Sequence, residues 1–133
     1  GENHPDYQQT LNARGVILSE LGRLQESYEI SKGLLAKQEA LLGERHPSYA
    51  LALNNHASSC SDLGLNDLAE ELYLKALNLR EQVLGVNHPD YLNSLSNLAV
   101  YYSDYGDLNL ADEYFDKLMN LARSFYGKEN PQY

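Results

Sequence analysis

The sequence predicts an all-α solenoid in which three helix-turn-helix units stack into a single domain covering residues 1–133. Three observations carry this prediction. A seven-residue string recurs at a fixed interval, apolar residues recur at helical spacing between its copies, and a glycine interrupts each unit at the same place. Units of this kind cannot bury their apolar faces alone, so neighbours stack and share one continuous core.

The recurring string is Gly-x-x-His-Pro-x-Tyr, and each copy begins 42 residues after the previous one. Full copies begin at Gly1, Gly43 and Gly85, and a fourth begins at Gly127 with asparagine in place of histidine. We therefore expect a piece cut from a longer array. The predicted units are residues 1–42, 43–84 and 85–126, with residues 127–133 as the start of a truncated fourth unit.

Each unit is predicted to contain two helices, A and B. Helix A begins at the proline of the string, because the fixed φ of proline suits the first helical turn and its missing N–H is not needed there. Helix A ends before Gly22, Gly64 or Gly106, where glycine adopts a left-handed conformation most easily. The predicted helices are residues 5–20, 24–41, 47–62, 66–83, 89–105 and 108–125.

Small residues recur where the paired helices should cross. Ala57 and Ala99 hold one such position on helix A, and Ala69 and Ala111 hold another on helix B. A larger side chain would keep the two backbones apart. We therefore expect Ala69 and Ala111 to be buried.

The order of these landmarks resembles a known family. Residues 53–57 read Leu-Asn-Asn-His-Ala and residues 95–99 read Leu-Ser-Asn-Leu-Ala. Both are similar to a segment of the tetratricopeptide repeats, in particular the 42-residue variety found in kinesin light chains and nephrocystin-3-like proteins. The resemblance covers the whole chain and implies a right-handed superhelix whose A helices line a concave groove. Similar arrays also occur as sensor regions behind signalling ATPase domains, so both contexts stay open.

Three residues depart from the pattern of that family. Arg14 and His56 stand where a buried leucine is usual, and Asn66 stands where helix B usually begins with a large apolar side chain. His56 belongs to the middle unit. It therefore requires either a hydrogen-bond partner or an opening to solvent.

Histidine is a common metal ligand, but the spacing of the histidines in this sequence argues against a shared metal site. His4, His46 and His88 occupy equivalent positions in successive units. Packed helices lie roughly 8–10 Å apart, whereas the ligands of one zinc ion lie about 2 Å from it. These residues are therefore interpreted as helix-start residues that precede proline, and His56 as a core histidine.

The remaining reactive side chains do not predict catalysis. Cys60 replaces an aromatic at a packing position, so we expect it to be buried and inert. Ser58, His56 and Asp62 lie on one helix, but nothing in the sequence implies an oxyanion donor or an enclosed pocket beside them. We expect no enzyme activity, no cofactor and no metal site.

Composition narrows the class of partner. The 19 acidic and 10 basic side chains give a formal charge of −9, which repels nucleic acid and anionic membranes. No apolar run approaches the roughly 20 residues of a membrane span. A single cysteine excludes an internal disulfide framework. We expect a cytoplasmic protein that binds neither nucleic acid nor membrane.

The site that follows from the architecture is the groove face of the A helices. An asparagine amide both donates and accepts, so it can pair with the main chain of an extended peptide whatever its sequence. The resemblance implies this role for Asn55 and Asn97. The alternative is that these amides stay solvated or brace the neighbouring unit. The predicted groove residues are Asn12, Asn54, Asn55, Ser58, Asp62, Asn93, Ser96, Asn97, Val100 and Asp104.

The charge of the groove predicts its ligand. Glu20, Asp62 and Asp104 place one carboxylate per unit at the end of helix A. Lysine and arginine, which grip terminal carboxylates in some members of the resembled family, are absent from the corresponding positions. We therefore expect a neutral to basic peptide segment to be preferred.

The expected function is a protein-interaction scaffold that holds a peptide or a partner surface in its groove, as part of a larger adaptor. The alternative is an architectural or self-associating sensor arm with no groove ligand. Helix B of unit 3 lacks a following helix, so we expect self-association through the C-terminal end. Some combination of Leu118, Leu121, Phe125 and Tyr126 is expected to be exposed at that end. The tyrosines considered as contact surfaces are Tyr101, Tyr105 and Tyr126.

Overall fold

Five α-helices and no β-strand make up residues 23–129, the part of the chain that the computed structural model describes. Side chains are described as far as Phe125. The all-α solenoid prediction is confirmed, and the predicted helix at residues 5–20 lies outside the described residues. The helices are α1 (Leu24–Leu42), α2 (Pro47–Asp62), α3 (Asn66–Leu84), α4 (Pro89–Asp104) and α5 (Leu108–Glu129).

Consecutive helices pack on one another along the described range, α1 on α2, α2 on α3, α3 on α4 and α4 on α5. Helix α1 is therefore helix B of unit 1, α2 and α3 form unit 2, and α4 and α5 form unit 3. None of these five helices is long and apolar enough to cross a membrane.

The histidine of each described string caps the start of a helix. The imidazole Nδ1 atoms of His46 and His88 accept hydrogen bonds from the backbone N–H groups of Ser48, at 3.1 Å, and Asp90, at 3.0 Å. The proline that follows each histidine occupies the first helical turn. Because each imidazole ring caps the helix that follows it, these histidines have the structural role that the sequence indicated. His4 lies outside the described residues.

The turn inside each unit depends on glycine. Gly64 and Gly106 have φ angles of 81° and 83°, a left-handed conformation that costs glycine least. The next residue then donates its N–H back into the helix, from Leu65 to the carbonyl of Cys60 at 2.9 Å and from Asp107 to that of Tyr102 at 3.0 Å. This closure reverses the chain within a few residues, so helices A and B pack antiparallel.

Alanines line the interior of each helix pair. Ala57, Ala69 and Ala99 are completely buried, and Ala111 is 3% exposed, which confirms the prediction for Ala69 and Ala111. Cys60 is also completely buried, as expected, and burial raises the pKa of its thiol. The neutral thiol is therefore favoured, which fits a packing role.

His56 finds its partner in the preceding unit. Its Nδ1 atom lies 2.7 Å from Oγ of Ser31 on α1, and its ring packs against Tyr28 with the ring centroids 4.9 Å apart. The side chain is 4% exposed. Burial, helped by the positive charge of Lys32, lowers the pKa of His56 although Glu29 opposes the shift. A neutral imidazole therefore joins units 1 and 2.

Enlarging the alanine at the α4–α5 interface should destabilise the protein. Ala111→Leu inserts a branched side chain where almost no free space exists, so we expect a loss of about 1–3 kcal/mol in the free energy of unfolding. Urea unfolding of the parent and variant measures it. The matched control is Ala40→Leu, at an exposed position of α1. Equal losses in both variants would contradict close packing at Ala111.

Acid should destabilise the parent more than a His56→Leu variant. The unfolded histidine takes up a proton below its ordinary pKa of 6.5, whereas the folded one resists it because its pKa is lowered. Its contribution to stability is therefore complete above that value and is lost as the pH falls through the lowered pKa, at about 1.4 kcal/mol per pKa unit. Urea unfolding at pH 7.5 and 5.5 tests this. An equal loss in parent and variant would exclude His56 as the titrating group.

Candidate peptide-binding groove

The exposed faces of the two described A helices carry equivalent residues 42 positions apart. We call this face the groove stripe. Its members recur at intervals of three and four residues, so they share one side of each helix. On α2 they are Leu51, Asn55, Ser58 and Asp62, and on α4 they are Asn93, Asn97, Val100 and Asp104; all are exposed except Asn97, which is half-buried.

Asn54 is the predicted groove residue that the structure moves to the interior. It is 7% exposed, and neither polar atom of its side chain has a hydrogen-bond partner among the described residues. Ala50 and Ala57, four residues before and three residues after it, lie on the same side of the helix and are completely buried, so position 54 faces the interior. Ser96, its counterpart in unit 3, is half-buried. Asn54 is thus not available to a groove ligand.

Asn55 offers its amide on the surface. It is exposed, and its side chain makes no hydrogen bond within the described ranges. Both the donor and the acceptor of this amide are therefore open to a ligand. Asn97, its counterpart, already donates weakly to Oδ1 of Asn93 at 3.5 Å.

Arg80 is the polar residue that sequence reasoning missed. It extends from α3 beneath α4 and is 5% exposed. Its Nη1 atom donates to the carbonyl of Asp90 at 2.9 Å, to Oδ1 of Asn93 at 3.2 Å and to Oγ of Ser94 at 3.1 Å. Arg80 follows Ala76 and Leu77 by four and three residues, which places it on the same side of the helix as these apolar residues, and this spacing was the available signal. Arg80 joins units 2 and 3 and orients part of the groove stripe.

Burial lowers the pKa of Arg80, although the negative charge of Asp90 opposes the shift. An arginine retains its proton under such conditions, since its ordinary pKa is far above neutrality. We call the contact between units 1 and 2 the first junction and the contact between units 2 and 3 the second junction. The second junction therefore contains a buried cation whose hydrogen bonds all go to uncharged oxygen atoms.

Carboxylates mark the C-terminal ends of the two A helices. Asp62 and Asp104 are exposed, each at the last residue of its helix. Burial is the main reason that the pKa of Tyr73 is raised, and both carboxylates add to the shift, which places their negative charge near its hydroxyl. Glu20, the third predicted carboxylate, and the groove residue Asn12 lie outside the described residues.

The tyrosines considered as contact surfaces differ in exposure. Tyr105 is 41% exposed, and its hydroxyl donates to the carbonyl of Ser61 at 2.8 Å, which ties the ends of α2 and α4 together. Tyr101 is buried, and its hydroxyl donates to the carbonyl of Asn66 at 2.6 Å. Tyr101 is therefore a packing residue. The side chain of Tyr126 lies outside the described part.

A pocket of about 190 Å³ opens between α1 and α2 beside the groove stripe. Two members of the stripe, Leu51 and Asn55, form part of its wall, so the pocket and the stripe are continuous. Oε1 of Gln38 is buried in the same region and has no hydrogen-bond partner among residues 23–125. The complete lining is Ser31, Leu34, Gln38, Ser48, Leu51, Ala52 and Asn55.

Helix α5 presents to solvent two apolar side chains that the sequence analysis did not single out as a contact surface. Phe115 is 37% exposed and Met119 is 57% exposed. Their counterparts in unit 2 are Tyr73, whose ring packs against Tyr101 of α4, and Leu77, which is 6% exposed. These two positions of a B helix therefore face the following unit.

Leu118 and Leu121 are half-buried instead, because they pack back against the core of their own unit. Phe125 is also half-buried and takes part in a contact of its own. These three side chains are therefore partly covered, and the side chain of Tyr126, the fourth residue of the expected combination, lies outside the described residues.

Reactive side chains in the described part do not assemble into a metal site. No group of three or more histidine, cysteine, aspartate or glutamate side chains in residues 23–125 could hold an ion. Ser58 and Asp62 lie on the exposed stripe, whereas His56 points into the core and bonds to Ser31. The arrangement of these three side chains is not that of a hydrolytic triad.

The fold is similar to that of solved kinesin light chain-like proteins. A kinesin light chain-like protein from Podosopora anserina, with nearly identical TPR-like repeats, superposes with a TM-score of 0.74 at 24% sequence identity, covering 90% of this chain and 56% of that chain. BtubC (BKLC) from P. vanneervenii superposes with a TM-score of 0.73 at 20% identity, covering 83% of this chain and 43% of that chain. This chain spans about half the length of those proteins. No curated protein matches it.

The match at the level of sequence family is more extensive. The tetratricopeptide repeat family matches residues 49–124, which is more than half of the chain, and a second match to tetratricopeptide repeats covers residues 8–48. Together with the repeated 42-residue string and the helix pairs, these matches establish that the chain belongs to the tetratricopeptide repeat family.

Proposed function

We propose that this chain is a protein-interaction scaffold that holds a peptide segment along its groove stripe, as part of a larger adaptor. Tetratricopeptide repeats generally mediate protein–protein interaction and are generally not enzymes. The observation that carries the proposal is the free amide of Asn55 on the exposed stripe, with Asn97 at the equivalent place in the next unit. Two such amides can pair with the main chain of an extended ligand.

The charges on the stripe support a neutral to basic ligand. Helices α2 and α4 contain no lysine or arginine, and each ends in an exposed aspartate. A basic peptide would be attracted to this surface and an acidic one repelled. The net charge of −9 supports a protein partner over a nucleic acid or an anionic membrane, and the single buried cysteine is compatible with a reducing compartment such as the cytoplasm.

Self-association is a second candidate function, and the exposure of Phe115 and Met119 favours it. In unit 2 the equivalent positions are covered by the next helix. A second copy of the chain could cover them in unit 3. This contact would serve the architectural role of a spacer or sensor arm.

Replacing Asn55 and Asn97 together by alanine should weaken peptide binding by about 1–3 kcal/mol, because two hydrogen bonds to the ligand are lost. A peptide array probed at low and moderate salt first identifies ligands, and titration calorimetry then compares the variants. Asn78→Ala with Asn120→Ala is the matched control, since both residues are exposed on B helices. Dominance of acidic peptides on the array, or equal binding by both double variants, would refute the groove proposal.

Charge placed on the exposed apolar face of α5 should prevent self-association. The parent should sediment as a concentration-dependent mixture of monomer and larger species, and Phe115→Lys with Met119→Lys should sediment as a monomer, because a lysine in an apolar contact is costly to desolvate. Leu41→Lys is the control, since Leu41 is 68% exposed on α1 and belongs to a different unit from α5. A parent that remains monomeric at high concentration would rule out self-association.

A further inference from the structure

The pocket between α1 and α2 is the counterpart of the site that holds Arg80. Each residue in the wall of the pocket corresponds to a residue 42 positions later, at the junction between α3 and α4. The same backbone arrangement therefore occurs twice along the chain. Gln38, Ser48, Leu51, Ala52 and Asn55 correspond to Arg80, Asp90, Asn93, Ser94 and Asn97.

At the second junction, between α3 and α4, a side chain of the protein itself fills the space that corresponds to the pocket. The side chain of Arg80 occupies it and donates to the carbonyl of Asp90, to Oδ1 of Asn93 and to Oγ of Ser94. The guanidinium is held by uncharged oxygen atoms and is almost completely buried. The repeat thus accommodates an arginine side chain in this position without a carboxylate in hydrogen-bond contact.

At the first junction three substitutions leave the space open. Gln38 is shorter than arginine, and Leu51 and Ala52 replace the two side chains whose oxygen atoms accept from Arg80. The result is a pocket of about 190 Å³ with the acceptor of Gln38 buried and unpaired. That oxygen has almost no accessible surface, so a ligand can donate to it only after the Gln38 amide turns toward the pocket. The turn is favoured because a buried acceptor without a partner is costly, and pairing it with a donor recovers that free energy.

We propose that this pocket takes an arginine side chain of a peptide bound along the groove stripe. Oε1 of Gln38, once its amide has turned toward the pocket, and Oδ1 of Asn55 accept from the guanidinium, whose several N–H groups diverge enough to reach both. Leu34 and Leu51 cover the aliphatic stem of the arginine, as apolar surfaces commonly do for such side chains. Peptides that place an arginine beside Asn55 are therefore selected.

The choice of a peptide arginine rests on the proposed function, because it is the groove that brings the peptide main chain to the mouth of the pocket. It also agrees with the neutral to basic preference of the stripe. A single amino acid derivative is too short to span the two units, so it reports on the pocket and not on the groove.

Nα-acetyl-L-arginine amide at millimolar concentration is the probe, followed by backbone amide NMR shifts. We expect saturable shifts confined to residues 31–38 and 48–55. The Gln38→Arg variant should bind the probe at least about fivefold more weakly, because its own side chain fills the pocket as Arg80 does at the other junction. Gln25→Arg, which adds the same charge at an exposed position of α1, should bind like the parent.

Three results would overturn the assignment. They are the absence of shifts in these residues, equal binding by Gln38→Arg and Gln25→Arg, and equal shifts with Nα-acetyl-norleucine amide, which has a similar stem and no donor at its tip. If Gln38→Arg alone does not fold, the addition of Leu51→Asn and Ala52→Ser rebuilds the surroundings of Arg80 and serves as the filled variant. If the arginine probe binds but the peptide array yields no ligand, the groove proposal is refuted and the pocket proposal stands. If peptides bind the parent and Gln38→Arg equally well, the pocket proposal is refuted and the groove proposal stands.

Discussion

The close approach of two helices at small residues is the constraint on which this structure depends. Ala69 and Ala111 have almost no exposed surface, and with Ala57 and Ala99 they let the A and B helices of each unit approach closely. Glycines at positive φ then reverse the chain between the paired helices. Once the pairs are formed, each B helix retains an apolar face that its own partner does not cover, and the following unit must cover it.

Stacking of the units buries polar side chains at the junctions, and the hydrogen bonds that these side chains make differ from one junction to the next. His56 and Ser31 join the first junction with a neutral hydrogen bond, whereas Arg80 joins the second with a buried cation. A repeat array can tolerate such variation because each unit contacts only its neighbours. The same variation makes the junctions chemically distinct, since the space that Arg80 fills remains a pocket beside Gln38.

The exposed groove stripe is a consequence of the same geometry. Burial of one side of α2 and α4 against their neighbours leaves a stripe of residues at spacings of three and four, and these residues are free to change without disturbing the core. Here the stripe carries amides and terminal carboxylates and no basic residue. The pocket continues this stripe into the first junction, since Leu51 and Asn55 belong to both. The two proposed interactions, with the main chain and with an arginine side chain of one peptide, therefore lie on a single surface.

The sequence by itself determined the repeat, its family, five of the helices and the burial of the alanines, because these follow from periodicity, proline and glycine, which act locally. It also predicted most of the exposed stripe, since helical spacing alone sorts Asn55 and Asp62 to one face. It missed the burial of Asn54, the role of Arg80 and the identity of the exposed residues on α5. Those features depend on the exact rotation of each helix against the next unit, and a rotation of one residue position moves a side chain from solvent to core. Only the tertiary structure decided them.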